Sequence, residues 1–161
     1  MLEIKEFFNS YNKLLKLKWL LCKESCTSKI SGSSAESADL VGHLNLIHPY
    51  RIQVFGKPEI NYYNEMEPKR RDFLTTELFL ANPPAIIIAE NQIPPKEICL
   101  VCKKNNVPLL TTTNTAAATI ELLRVQIGKK LAPRTTRHGV FMDVLGIGVL
   151  ISGESGLGKS E

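Results

Sequence analysis

Strand-like and helix-like patterns take turns along the chain. The opening stretch "EIKEFFNSYNKLLKL" predicts a helix, and "LKLKWLLC" alternates apolar with polar residues as a strand does. "SKISGSSAESAD" is a loop of small residues, and "RIQVFG" is a compact strand that ends in glycine. Pro68 suits a first helical turn, so "PKRRDFLTTELFL" is predicted as a helix. "AIIIAE" is a continuous apolar run of the kind found in a parallel strand covered on both faces. A helix over "PPKEICLVCKKNN" and a strand over "VPLLTTT" follow. Asn114 or Thr115 is placed to cap the helix "AAATIELLRVQIGKKLA", whose last turn carries the cations its dipole favours.

Strands alternating with helices predict an α/β layer domain with a mostly parallel sheet over residues 1–130. Proline and threonine then break the helical period in "LAPRTTRHG", which predicts a linker over 131–138. From 139 to 161 the pattern changes. "GVFMDVLGIGVLISG" reads as two short strands joined at "GIG", an antiparallel hairpin whose glycines accommodate positive φ. There is no internal repeat or low-complexity tract.

Composition sharpens this only slightly. Of 161 residues, 43% are hydrophobic and 22% charged, enough apolar content for a sizeable core. The net charge of +4 is spread over Lys16 and Lys18, Lys69 to Arg71, Lys103 and Lys104, and Lys129 and Lys130. No run is dense enough for a nucleic-acid footprint, and solvated helix faces account for it. No stretch approaches the roughly 18 apolar residues of a membrane helix, and the N-terminus lacks the apolar core of a secretory signal. A cytoplasmic protein is expected. The cysteines form two close pairs, Cys22 with Cys26 and Cys99 with Cys102. C-x2-C is a frequent zinc half-site, but ordinary buried or partly buried thiols are the simpler reading. His43 and His48 have no partner pattern and read as surface residues.

The chemistry concentrates at "GESGLGKSE". Gly153, Glu154, Ser155, Gly156, Leu157, Gly158, Lys159 and Ser160 fit the phosphate-loop pattern G-x-x-x-x-G-K-[ST] without mismatch. Small residues let successive backbone N–H groups turn inward and cradle phosphate oxygens. Lys159 supplies a positive charge for the β- and γ-phosphates of ATP, and the Ser160 hydroxyl is a Mg²⁺ ligand. The apolar strand that such a loop requires, "GVLIS", stands just before it.

The longer stretch "APRTTRHGVFMDVLGIGVLISGESGLGKSE" resembles the start of the catalytic domain of the bacterial HPr kinase/phosphorylase family. The features that carry the likeness are His138-Gly139, Asp143, Gly146-Ile147-Gly148 and the run from Gly158 to Glu161. "RIQVFGKPEINYYNEM" is similar to a strand-and-turn segment of that family, and "PAIIIAENQIPPKEICLVCKKNNVPLLTTT" to its later helix and strands. The likeness covers nearly the whole chain and is closer after residue 131. Where family members often carry N-R-P-G-L this chain has "SADLVG", which bears on what the N-terminal domain contacts.

The resemblance implies ATP- and Mg²⁺-dependent phosphorylation of a seryl hydroxyl on HPr, the phosphocarrier of the sugar phosphotransferase system, and so regulation of carbon metabolism. It also implies the reverse phosphorolysis, with phosphate consumed and pyrophosphate formed. Lys159 and His138 become the expected catalytic residues, and a hexamer the expected assembly. A hinge histidine satisfied by backbone groups is the plainer alternative for His138, and a structural hydrogen bond is expected of Asp143. The resemblance further implies that the chain is the N-terminal part of a longer protein, inactive by itself. Two other readings remain open on the residues: a generic P-loop ATPase or small-molecule kinase, and a non-catalytic regulatory or assembly module.

Overall fold

Three consecutive isoleucines, Ile86–Ile88, are fully buried, as are the alanines on either side of them. A strand with no exposed face needs helices on both sides. The computed structural model, which describes residues 2–30, 39–44, 50–80, 82–133 and 138–152, shows that arrangement. In chain order the elements are β1 (Leu2–Glu3), α1 (Ile4–Leu15), β2 (Leu17–Leu21), β3 (Lys29–Ile30), β4 (Val41–His43), β5 (Ile52–Phe55), α2 (Lys57–Glu65) and α3 (Pro68–Leu80). They continue as β6 (Ile86–Ile88), α4 (Lys96–Asn105), β7 (Leu109–Thr112), α5 (Ala116–Leu131), β8 (Gly139–Val144) and β9 (Ile147–Ser152).

The main sheet runs β2-β7-β6-β5-β4. β4, β5, β6 and β7 are mutually parallel, and β2 closes one edge antiparallel to β7. The expected mostly parallel α/β sheet is therefore present. Ile87 lies opposite Val54 and Leu110, and all three enter the core under α1 and α5. Ile86 and Ile88 point the other way, joining Phe55 and Leu109 in the core under α2, α3 and α4. The period of two along each strand sorts residues between the two layers. β1 and β3 make a separate antiparallel pair, and β8 with β9 a third sheet.

Helix boundaries follow the residues. α3 begins at Pro68, where no backbone donor is lost. Thr115 caps α5 by accepting from the Ala118 N–H at 3.3 Å, and Lys129 and Lys130 occupy its last turn. One expectation fails. "KPEINYYNE" belongs to the expected strand-and-turn segment, yet residues 57–65 are helical. Two carboxylates hold its N-terminus: Glu59 Oε2 accepts from the Gly56 N–H at 2.9 Å, and Glu90 Oε2 from the Lys57 N–H at 3.0 Å. Ile60 and Tyr63, three apart on one face, are buried. Tyr63 Oη lies 2.7 Å from Thr75 Oγ1 in the interior and ties α2 to α3.

Burial pushes the Tyr63 phenol above its ordinary pKa, opposed by the bond to Thr75. Among the described residues no helix is long and apolar enough to cross a membrane. Replacing Tyr63 with Phe strands the buried Thr75 hydroxyl, an expected cost of about 1–3 kcal/mol. Urea unfolding should show a lower midpoint at unchanged m-value; an unmoved midpoint would mean that this bond does not hold α2 against α3.

Candidate functional site

β8 and β9 pair in register from Gly139 opposite Ser152 to Val144 opposite Ile147. The connection is the two-residue loop Leu145–Gly146, with φ of 55° and 82°. Positive φ at both positions matches the twist of a tight hairpin, and glycine takes it without strain. The turn therefore sits ahead of the expected "GIG" centre, and Gly148 lies within β9. Asp143 Oδ1 accepts from the Gly146 N–H at 2.8 Å, which closes the loop. The structural hydrogen bond expected of Asp143 is thus present.

The register fixes what lies at the other end. Ser152 is the last described residue, and its partner Gly139 directly follows His138. The imidazole-bearing residue thus stands at the open end of the hairpin, at the end where the chain leaves β9 toward Gly153. His138 is exposed. The remaining expected site residues, Gly153, Glu154, Ser155, Gly156, Leu157, Gly158, Lys159 and Ser160, lie outside the described residues, as does half of the expected linker, residues 134–137.

The two faces of the hairpin differ. Val140, Met142, Val144, Ile147, Val149 and Ile151 share one face by strand alternation, and each is apolar. Ile147 is 68% exposed, and Met142, Val144, Val149 and Ile151 are exposed as well. A ribbon of this kind is marginal in water until a further layer covers it. Such a face is a surface that another layer or partner can cover.

Elsewhere, His43 proves less isolated than its sequence context indicated. Its Nδ1 lies 3.1 Å from Glu59 Oε1, a contact that the parallel pairing of β4 with β5 creates over a distance no local pattern reveals. His48 lies outside the described residues. All four cysteines are free thiols, Cys102 buried and the others half-buried. Cys22 and Cys102 meet where the Cys22 thiol donates to the Cys102 carbonyl at 3.6 Å. Burial raises the pKa of Cys26, Cys99 and Cys102, most strongly at Cys102, so the described thiols with resolved shifts are less ionised than free cysteine.

Comparison with known proteins agrees with the hairpin and its surroundings. Residues 2–125 match the family model described as "HPr Serine kinase N terminus", and residues 129–161 match "HPr Serine kinase C-terminal domain". The chain is 48% identical over 161 residues to a protein named HPr kinase/phosphorylase from Bordetella pertussis, covering 100% of this chain and 52% of that one. A protein of the same name from Cupriavidus necator is 48% identical over 151 residues, with 91% and 47% covered. One from Burkholderia cenocepacia is 47% identical over 158 residues, with 96% and 49% covered. The chain spans about half the length of these relatives. With the N-terminal model matching residues 2–125, more than half of the chain, and the C-terminal model matching from residue 129 onward, the chain belongs to the HPr serine kinase family.

Proposed function

We propose that this chain provides the phosphate-binding end of an ATP-dependent protein serine kinase and phosphorylase acting on the phosphocarrier HPr, and so regulates carbon metabolism. The observation that carries the proposal is the β8–β9 register, with His138 at the end of the hairpin from which the run Gly153–Ser160 departs. A kinase needs a phosphate cradle, a cation and a polar group held on one rigid element, and a hairpin fixed at its turn by Asp143 supplies such an element.

In this reading the backbone of Gly153 to Gly158 cradles phosphate oxygens, and Lys159 compensates charge on the transferred group. Ser160 holds Mg²⁺, which supplies charge neutralisation across the phosphates when bound. Donor types fit: a hard cation prefers a hydroxyl oxygen, and a backbone nest prefers an anion. In the forward reaction the HPr seryl oxygen attacks the γ-phosphorus of ATP, the bond to the β–γ bridging oxygen breaks, and ADP leaves. In the reverse reaction an oxygen of inorganic phosphate attacks the phosphorus of phosphoseryl-HPr, the bond to the seryl oxygen breaks, and HPr with its hydroxyl restored leaves alongside pyrophosphate. Both are in-line displacements in which positioning dominates, so one cradle serves both. His138 contacts phosphate or orients the carboxylate that takes the seryl proton.

The same reading divides the chain into an α/β domain over 1–130, a linker over 131–138, and the opening of the catalytic domain over 139–161. It places the protein in the cytoplasm and assembles it as a hexamer at the length of its relatives. The uncovered apolar face of β8 and β9 supports this division, because a catalytic domain would bury it.

Three outcomes test the proposal. In the protein at the length of its relatives, Lys159→Ala should abolish both activities with the fold intact, since losing such a cation costs about 10²-fold or more. Turnover of HPr near the wild-type rate would remove the loop from the mechanism. His138→Ala should lower kcat by about 10²-fold with little change in Tm; a collapse in Tm with normal turnover by the folded remainder would make His138 a structural hinge. The 161-residue polypeptide alone should transfer no phosphoryl group and should associate through the hairpin as its concentration rises. Light scattering that finds one monomer at every concentration would contradict the second half, and phosphorylation of HPr the first.

A further inference from the structure

Two guanidinium groups share a cleft at the β4 edge of the main sheet, on the side covered by α5. Arg124 reaches from α5 and donates from Nε at 3.2 Å and from Nη2 at 3.0 Å to the Val41 carbonyl. Arg51, just ahead of β5, lays its guanidinium against Gly42. A Cβ at that glycine would stand 2.7 Å from Cζ and 2.8 Å from Nη1 of Arg51, so the absence of a side chain makes room for the cation. Arg51 Nε is shielded from solvent and has no hydrogen-bond acceptor among the described residues. Among the described residues, no ion pair engages either arginine.

The electrostatics follow from that geometry. Burial first, and the neighbouring Arg124 charge second, hold the Arg51 pKa below the usual arginine value, and Asp39 only partly opposes them. Two like charges brought together beside a shielded, unpartnered N–H are costly unless an anion joins them. The cleft has a volume of about 670 Å³, within the range of small-molecule sites. Its wall includes Ala117 in the first turn of α5, where the helix dipole adds positive potential. A planar guanidinium pairs with phosphate through two parallel N–H donors, and two such groups match a dianion better than a single carboxylate. Glu121 on the same wall is unsuited to a second anionic group and suited to a hydroxyl.

We propose that Arg51 and Arg124 form a second anion site, separate from the Gly153–Ser160 loop, that takes the phosphate group of a small phosphate monoester. Nothing in this assignment depends on the kinase reading. Its test uses the 161-residue chain carrying Lys159→Ala, so that the phosphate loop is silenced. Inorganic phosphate and glycerol 3-phosphate are titrated at matched ionic strength against chloride, and the Nε–H resonance of Arg124, which every variant retains, is followed.

A saturable shift is expected for both probes, with the monoester bound more tightly. Arg51→Gln should weaken binding about tenfold or more, the loss of a charge-assisted pair. Gly42→Ala provides an independent check. The three atoms nearest its Cβ all belong to the movable Arg51 guanidinium, so it should displace that group and weaken binding while leaving Tm nearly unchanged. A shift no larger than that caused by chloride, or Arg51→Gln and Gly42→Ala proteins that bind as tightly as their parent, would overturn the site. A monoester unable to compete with inorganic phosphate would overturn its assignment to phosphate esters.

Discussion

The backbone of β6 has protein on both faces and both sides, so every polar group along it must be met by a neighbouring strand. It is met: Ile86 N–H donates to the Pro108 carbonyl at 2.9 Å, Ala89 N–H to Phe55 at 2.8 Å, and the Ala85 carbonyl accepts from Gln53 N–H at 3.1 Å. That constraint sets β5 and β7 beside β6 in fixed register, and their side chains then define both helical layers. It also sets where the strands end. Glu90 and Asn91, just beyond β6, take φ of 57° and 50°, and their N–H groups donate to the Asn114 and Thr112 carbonyls. From that bend Glu90 reaches the first turn of α2, while Thr112 Oγ1 donates to the Leu15 carbonyl at the end of α1 at 2.8 Å.

The elements that could be read from the residues are those whose signal is local. An uninterrupted isoleucine run has few fates other than a doubly covered strand, and Pro68 marks a helix start that the fold keeps. Thr115 acts as a cap because its oxygen reaches a donor three residues on. What escaped reading depends on distant partners. α2 shows two inward residues, Ile60 and Tyr63, between exposed tyrosine and charged positions, and its start relies on Glu90 from another loop. β1, β3 and β4 are two or three residues long, too short for a period to appear. β2 was readable as a strand, but its antiparallel place beside β7 was not, since local alternation carries no direction.

The candidate site divides in the same way. The proposed phosphate loop is legible because the pattern that suggests it is one contiguous run of small residues, a lysine and a serine. His138 stands fourteen residues from Ser152 along the chain, and only the hairpin register brings Gly139, its neighbour, opposite that serine. The pairing of Arg51 with Arg124 had no sequence signal at all: the two belong to different elements and meet across Gly42 and Val41. The α/β layers close on themselves around Ile86–Ile88, whereas β8 and β9 keep an apolar face open. A closed body and an uncovered ribbon in one chain fit the family relationship, in which the match to the N-terminal model ends at residue 125 and the match to the C-terminal one begins at 129.

The central claim is that the hairpin register brings an exposed histidine to the phosphates, and chemical protection reports on that most directly. In the protein at the length of its relatives, the rate at which diethyl pyrocarbonate modifies His138 can be followed by peptide mass with and without saturating ATP and Mg²⁺. The account predicts that nucleotide slows modification of His138 sharply. A rate unchanged when nucleotide is bound would place His138 away from the phosphates and contradict it.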